Sequence, residues 1–285
     1  MTSVALIGLG EVGTVLAEEL RGLTISAWDV AFDDPDSTPS RRAAALGIRA
    51  GDSAADVVHG AELVISAVTA ANTVTAAADV AAGIGPGAWF LDLNSSAPER
   101  KQAAAAGIEA AGGRYVEAAV MSPIEPKRLA APMLLGGPHA AEFVDFGAAL
   151  GFTGLECYAD TVGLAAATKL CRSVLIKGIE ALLTESMLTA RRWGVEDRVL
   201  DSLSNLLPGD WHVLAPYMIS RSLEHGARRA EEMREAAATV TGAGVTPTMS
   251  VATAIRQEWG ARHRAAAAEK ALPAMLDAIE RGRQK

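Results

Sequence analysis

The chain has 285 residues, 50% of them hydrophobic and 21% charged, with a formal net charge of −8. That length can bury one large core or two smaller ones. The acidic balance argues against a nucleic-acid binder or a protein held on an anionic membrane, since either needs a positive field.

In chain order, VALIG at 4–8 reads as a short buried strand and TVLAEELRG as a helix. TISAWD at 24–29 is a second strand and SRRAAALG at 40–47 a second helix. ELVISAV at 62–68, AWFLDL at 88–93 and RYVEAAV at 114–120 are further strands between alanine-rich helical pieces, and MLLGG and LECYA are strand-like too. Strands alternating with helices imply a mostly parallel, doubly wound sheet covered on both faces.

After about residue 161 the strand-like runs stop. One helix is expected from Gly163 to about Trp193, roughly 45 Å at 1.5 Å per residue, long enough to bridge domains or subunits. Gly178 inside it weakens it only modestly. Trp193, Gly194 and Val195, and then LLPGDW at 206–211, break the remainder into shorter helices, and the chain ends in a polar ERGRQK. The expected organisation is an α/β domain over 1–160 and an all-helical domain over 161–285. No apolar stretch of about 18 residues runs without a charge, so no membrane span is expected, and no basic segment precedes the first strand as in a signal peptide. The two cysteines, Cys157 and Cys171, have neither metal spacing nor a disulfide framework, which fits a reducing cytoplasm. Cys171, inside the long helix, reads as a small buried hydrophobe.

VALIGLGEVGTVLAEEL carries Gly8, Gly10 and Gly13 as G-x-G-x-x-G, directly after a strand and opening a helix. Gly8 permits the tight turn, Gly10 lets a pyrophosphate approach the backbone, and Gly13 lets the helix pack on the sheet, with unpaired N–H groups at the helix start facing the phosphates. Asp29 ends the second strand, where an acid bonds the ribose hydroxyls of NAD and repels the 2′-phosphate of NADP; the alternative is a turn-forming Asp. Arg41 and Arg42 open the next helix and are either a solvated face or a reach towards a 2′-phosphate. The balance leans to NAD, with NADP left open.

Three features together, the glycine loop, LDLNSSAP at 91–98 and the G-x(5)-K pattern at 163–169, resemble the β-hydroxyacid dehydrogenase family, which includes 3-hydroxyisobutyrate and 6-phosphogluconate dehydrogenases and, more distantly, imine reductases. The likeness covers about two-thirds of the chain; beyond residue 200 it is to a less characterised subgroup, with HGARRAEEMREAA at 225–237 as its own motif. The resemblance implies a Rossmann-type domain in which Gly8, Leu9, Gly10, Glu11, Val12, Gly13, Asp29, Val68 and Thr69 hold NAD(P)H. It implies substrate contacts by Asn94, Ser95 and Ser96, short polar side chains at the carboxyl end of a strand. Ser96 has a second reading as the N-cap of the helix that SSAPE opens. The family's D-A-P-V-S-G-G stretch falls on EAAVMSP at 117–123 and matches poorly: Ser122 and Pro123 stand for its glycines and Met121 for its serine, implying a bulkier or reshaped pocket. Ser122 still offers a hydroxyl.

Lys169 matches the family's general acid/base. Such an amine works if burial and a positive neighbour pull its pKa towards neutrality; alternatively the side chain snorkels out to pair with an acid. Arg172 and Ser173 stand where an asparagine is usual. A guanidinium there suits a carboxylate or phosphate, so the expected substrate is a small anionic hydroxy acid or its oxo partner. Ser173 and Glu180 fall on about the face of Lys169, while Lys177 lies further round and reads as solvated or pairing. In PGDWHVLAPYMISRSLEHGARRAEEMREA, Arg221, His225 and Arg228 share a face. The plain reading is a helix laced with pairs such as Arg228–Glu232; the alternative is a face that closes a partner subunit's active site, with Trp211 and His212 as pocket walls. The resemblance also implies a homodimer built through the helical domain. Rival functions are an imine or other carbonyl reductase, and a dinucleotide sensor without turnover. The short chain disfavours 6-phosphogluconate dehydrogenase itself.

Overall fold

The structure is a computed structural model, and it describes residues 2–203 and 207–282. Leu206 of the LLPGDW stretch and the final three residues of the polar tail lie outside these. The chain divides into two compact units, Met1–Lys169 and Leu170–Lys285.

The first unit is an eight-stranded sheet wrapped by helices. Its strands are β1 (Ser3–Ile7), β2 (Thr24–Trp28), β3 (Arg49–Ala50), β4 (Leu63–Ser66), β5 (Trp89–Asp92), β6 (Arg114–Val120), β7 (Met133–Gly136) and β8 (Leu155–Ala159). Its helices are α1 (Glu11–Glu19), α2 (Thr38–Leu46), α3 (Ala54–Val58), α4 (Thr73–Ala81), α5 (Pro98–Ala110) and α6 (Ala140–Ala149). The spatial order is β3-β2-β1-β4-β5-β6-β7-β8. All neighbours are parallel except β6 and β7. Alternate residues of each strand feed opposite faces: Leu6, Ile65 and Leu91 pack with Leu16 and Phe143 on one side, and Ile7, Val64 and Phe90 with Val58, Val80 and Tyr115 on the other. Both faces are apolar because both are covered by helices, which is why the strands read as continuous hydrophobic runs.

The sequence reading misses β3, whose two exposed residues carry no hydrophobic signal. It also starts α2 late. The Ser37 hydroxyl accepts the Ser40 N–H at 3.2 Å, so the helix opens at Thr38.

The second unit is helical. α7 (Leu164–Trp193) begins in the sheet unit and continues here, followed by α8 (Glu196–Leu203), α9 (Trp211–Glu224), α10 (Gly226–Gly242), α11 (Thr248–Ala261) and α12 (Leu272–Gly282). Its core gathers Leu183, Met187, Leu200, Trp211, Ile219, Leu223, Met275, Leu276 and Ile279. Trp211 is therefore a core residue, its indole N–H donating to the Leu207 carbonyl at 2.7 Å, and not a pocket wall. His212 is exposed and pairs with Asp201 at 3.0 Å; that partner holds the imidazole pKa above its ordinary range. Cys171 and Cys157 are both exposed, against the buried reading of Cys171. No helix among the described residues is long and apolar enough to cross a membrane.

Candidate active site and dinucleotide loop

The chain crosses from one half of the sheet to the other between β1 and β4, and the crevice at the carboxyl ends of the strands at such a switch is where α/β sheets take ligands. The glycine loop sits there. Gly8 has φ +92°, and a Cβ on it would stand 2.6 Å from the Ala67 carbonyl oxygen and 3.1 Å from a Val68 methyl, so β1 and β4 meet at a residue that must lack a side chain. A Cβ on Gly13 would stand 2.1 Å from the Gly8 oxygen. On Gly10 it would meet nothing within 4 Å, leaving open space over the backbone at the N-cap of α1. No side chain caps that helix start, so its first N–H groups are available to an anion. Asp29 brackets the loop: one carboxylate oxygen accepts the Leu9 N–H at 2.8 Å and the other the Ala31 N–H at 3.0 Å. Arg42 donates to the Leu9 carbonyl at 3.3 Å, which brings a guanidinium to the same loop. Arg41 instead bonds the Asp36 carbonyl. Glu11 and Thr69 are exposed and Val12 and Val68 half-buried. This cradle fits the pyrophosphate of a dinucleotide.

The loop after β5 holds the next three predicted residues, and they differ in kind. Asn94 is buried; its side-chain oxygen accepts the Val68 N–H at 2.7 Å and its amide donates to the Ser66 hydroxyl at 3.0 Å, so it ties the ends of β4 and β5 together. Ser96 is fully buried, and its hydroxyl has no hydrogen-bond partner among the described residues. It is not the N-cap, a position Ala97 takes with Pro98 opening α5. Ser95 is half-buried, and its hydroxyl accepts from the Lys169 ammonium at 2.7 Å. Two residues 74 apart in sequence thus meet within the sheet unit.

The start of α7 is anchored by a residue the sequence reading passed over. Glu117, buried in the middle of β6, accepts the N–H groups of Gly163 and Ala166, both at 2.6 Å. This charge-assisted cap lies one turn before Lys169 and helps fix where the amine emerges. Burial pushes the Glu117 carboxyl up, with Lys101 and the two amides opposing. Beneath it lies a second unforeseen group. Lys101, 1% exposed, pairs with Asp92 at 2.8 Å. Asp92 also accepts the Tyr115 hydroxyl at 2.7 Å and the Asn94 N–H at 2.9 Å. Burial first, and then Asp92, raise the Tyr115 pKa well above its ordinary value. Asp92 inside an otherwise apolar strand was the one available signal.

The remaining predicted residues are placed as follows. The Ser122 hydroxyl donates to the Pro123 carbonyl at 3.0 Å. Arg172 is exposed on α7. Ser173 is buried and accepts from Lys177 at 3.0 Å. Of the two readings of Lys177, solvated or pairing, the second holds: it is buried and pairs with Glu232 at 2.5 Å. Burial lowers its pKa, with Glu232 opposing. Glu180 is buried against Arg229 and Gln257.

Cradle, switch point and covered parallel sheet define a dinucleotide-binding protein of the Rossmann class. Comparison with known families narrows this. The NAD binding domain of 6-phosphogluconate dehydrogenase matches residues 3–158, and a domain of unknown function, DUF1932, matches 190–260. The chain belongs to the β-hydroxyacid dehydrogenase family, dehydrogenases acting on CH–OH groups, with a helical C-terminal domain. Among solved structures, a conserved hypothetical protein from Sinorhizobium meliloti 1021 is 37% identical with a TM-score of 0.77, over 99% of this chain and 97% of that one. A conserved protein of unknown function with structural similarity to 3-hydroxyacid dehydrogenases is 29% identical with a TM-score of 0.69, over 90% and 97%. Mycobacterium tuberculosis 3-hydroxyisobutyrate dehydrogenase with L-serine shares the fold at 19% identity and a TM-score of 0.72, over 98% and 99%. No curated protein matches the sequence.

Proposed function

We propose that this protein is an NAD(P)-dependent dehydrogenase that moves a hydride between nicotinamide and a small hydroxy acid or its oxo or semialdehyde partner, with Lys169 as general acid/base. The observation that carries the reading is the 2.7 Å hydrogen bond from the Lys169 amine to Ser95, at the carboxyl end of β5, where ligands of such sheets bind.

Gly8, Leu9, Gly10, Glu11, Val12, Gly13, Asp29, Val68 and Thr69 would hold the dinucleotide, which when bound supplies the hydride acceptor in oxidation and the donor in reduction. The protein's own part is proton handling and orientation. In oxidation the substrate hydroxyl gives its proton to the neutral Lys169 amine as the C–H pair leaves as hydride, and the carbonyl forms. In reduction the ammonium returns that proton to the oxygen. Ser95 keeps the amine aimed and contacts substrate beside it, Ser96 and Ser122 offer further hydroxyls, and Asn94 holds the strand ends in register. Arg172 would bind a substrate carboxylate or phosphate, and Ser173 would position it. Asp29 supports NAD, while Arg42 at the Leu9 carbonyl keeps NADP within reach.

In this reading residues 1–160 serve the cofactor and 161–285 the substrate and a homodimer contact. Leu175, Leu182, Met249 and Ile255 are exposed on the helical unit. A cavity of about 410 Å³ is lined there by Leu182, Met249, Ile255 and Trp259. Contiguous apolar surface of this kind marks an interaction site. Free, exposed cysteines accord with a cytoplasmic protein.

The test is a panel of NADH and NADPH, and their oxidised forms, against hydroxy acids, semialdehydes and cyclic imines, followed at the nicotinamide absorbance. Turnover of a hydroxy acid or its oxo partner supports the proposal. Turnover of imines alone replaces it with imine reduction, and tight cofactor binding without any turnover replaces it with a sensor.

A further inference from the structure

The first turn of α7 is mounted on the sheet unit from three sides. From β6, the Glu117 carboxylate accepts the Gly163 N–H on one oxygen and the Ala166 N–H on the other, both at 2.6 Å. From α5, a Cβ on Gly163 would stand 3.1 Å from that of Pro98, and the Gln102 amide donates to the Val162 carbonyl at 3.2 Å. From β8, the Tyr158 hydroxyl meets that of Thr168 at 2.9 Å. Lys169 is the next residue, and its amine reaches Ser95. Room for the carboxylate is kept on the neighbouring strand. Gly136 faces Glu117 across the antiparallel β6–β7 pair, and a Cβ there would stand 2.6 Å from the Glu117 Oε2.

A carboxyl that accepts an N–H on each oxygen is ionised. Protonation turns one oxygen into an O–H donor that faces an N–H donor, so one of the two bonds is lost. The ionised form also answers the positive end of a helix of 30 residues. Glu117 has no exposed surface, and burial is the main cause that pushes its carboxyl up from the ordinary 4.5. Asp92 on β5 pushes the same way, while Lys101 on α5 and the two α7 amides oppose. Tyr115, on the same strand as Glu117, is held as the neutral phenol by its own raised pKa. The charge that the mount needs is therefore kept against the cost of desolvation, and it is the part of the mount that acid removes first.

We infer that Glu117 is the positioning residue of the Lys169 amine: its ionised carboxylate holds the first turn of α7 where Lys169 meets Ser95, and its protonation loosens that contact. The consequence for catalysis rests on the proposed role of Lys169, whereas the mount itself does not. In the reduction direction Lys169 works as the ammonium, so its own titration lowers the rate on the alkaline side. An acid limb in that direction belongs to Glu117.

The test is an NMR titration of the full-length protein with isotope-labelled amides and lysine side chains, Lys169→Arg assigning the Lys169 signal. From about pH 8 down to about pH 4, the Gly163 and Ala166 amides and the Lys169 Cε should shift together, with one midpoint above 4.5. In Glu117→Gln that step should vanish from all three signals. Hydrogen exchange at the two amides should be about 10-fold faster or more, since the charge-assisted bonds that protect them are gone. Amides that do not titrate, a Lys169 signal that stays flat while they do, or a step that persists in Glu117→Gln each overturn the inference. Where the variant does not fold, the titration of the parent protein decides by itself. None of these signals uses turnover, so a failed mount is told apart from a failed proton-transfer role, which an active Lys169→Ala protein would reveal.

Discussion

Replacing Gly10 by alanine separates the space kept for a cofactor from the space the fold itself needs. A Cβ on Gly10 meets nothing within 4 Å, and the residue already has extended backbone at φ −72° and ψ −154°. Stability should fall by less than about 1 kcal/mol, the range of cap substitutions. Yet the methyl stands over the backbone where a pyrophosphate would approach the open start of α1. Losing two charge-assisted hydrogen bonds, at about 1.5–3 kcal/mol each, should weaken NAD(P)H binding by about 100-fold or more. Gly13→Ala is the contrast. Its Cβ would fall 2.1 Å from the Gly8 oxygen, so α1 must lift from the sheet, at a cost of about 3 kcal/mol, with binding lost as well. Urea unfolding and nicotinamide fluorescence titration of the two variants read both quantities. A Gly10→Ala protein that binds as tightly as the parent would refute the assignment of that space to a dinucleotide.

Ser95→Ala should reduce kcat by about 10-fold with little change in cofactor affinity, since it removes one oriented hydrogen bond to Lys169; steady-state rates with both coenzymes check this. Asp29→Asn should weaken NADH by about 10-fold and narrow the NADH-to-NADPH preference, read as a ratio of dissociation constants. Glu232→Gln strands the buried Lys177 charge and should cost about 3–5 kcal/mol. The native Lys177 holds its proton less tightly than the unfolded one, whose ordinary value is 10.5. Stability of this variant should therefore rise as pH climbs through the native value towards 10.5, and urea midpoints at several pH values follow that rise.

The glycine loop was legible because all its demands are local: a strand, a turn, three glycines and a helix start lie within one short segment. The long helix was legible from an unbroken helical pattern between Gly163 and Trp193. What stayed hidden depends on partners distant in sequence. Lys101 finds Asp92, Tyr115 joins them from the next strand, and Glu117 caps a helix 46 residues away. No periodicity announces such a pairing, although a charged residue inside a buried strand should be asked for its counter-charge. Alanine-rich helices blur the inner face from the outer, and so the pattern makes Cys171 a buried residue, which it is not, and offers Lys177 as solvated or pairing, of which only the pairing, with Glu232, holds. Trp211 followed a turn that looked like a pocket rim, but its indole completes the helical core. Of the LDLNSSAP residues, spacing gave the loop but not the division of labour. The folded chain separates the bracing amide of Asn94 from the half-buried hydroxyl of Ser95 that meets Lys169.

In the proposed reaction the Lys169 amine carries the proton that accompanies hydride transfer. Single-turnover and steady-state rates of Lys169→Ala, measured beside its NAD(P)H dissociation constant, address it most directly. The expected result is an unchanged dissociation constant and a kcat lower by about 10² or more. Turnover at the parental rate with a folded, cofactor-binding variant would contradict it.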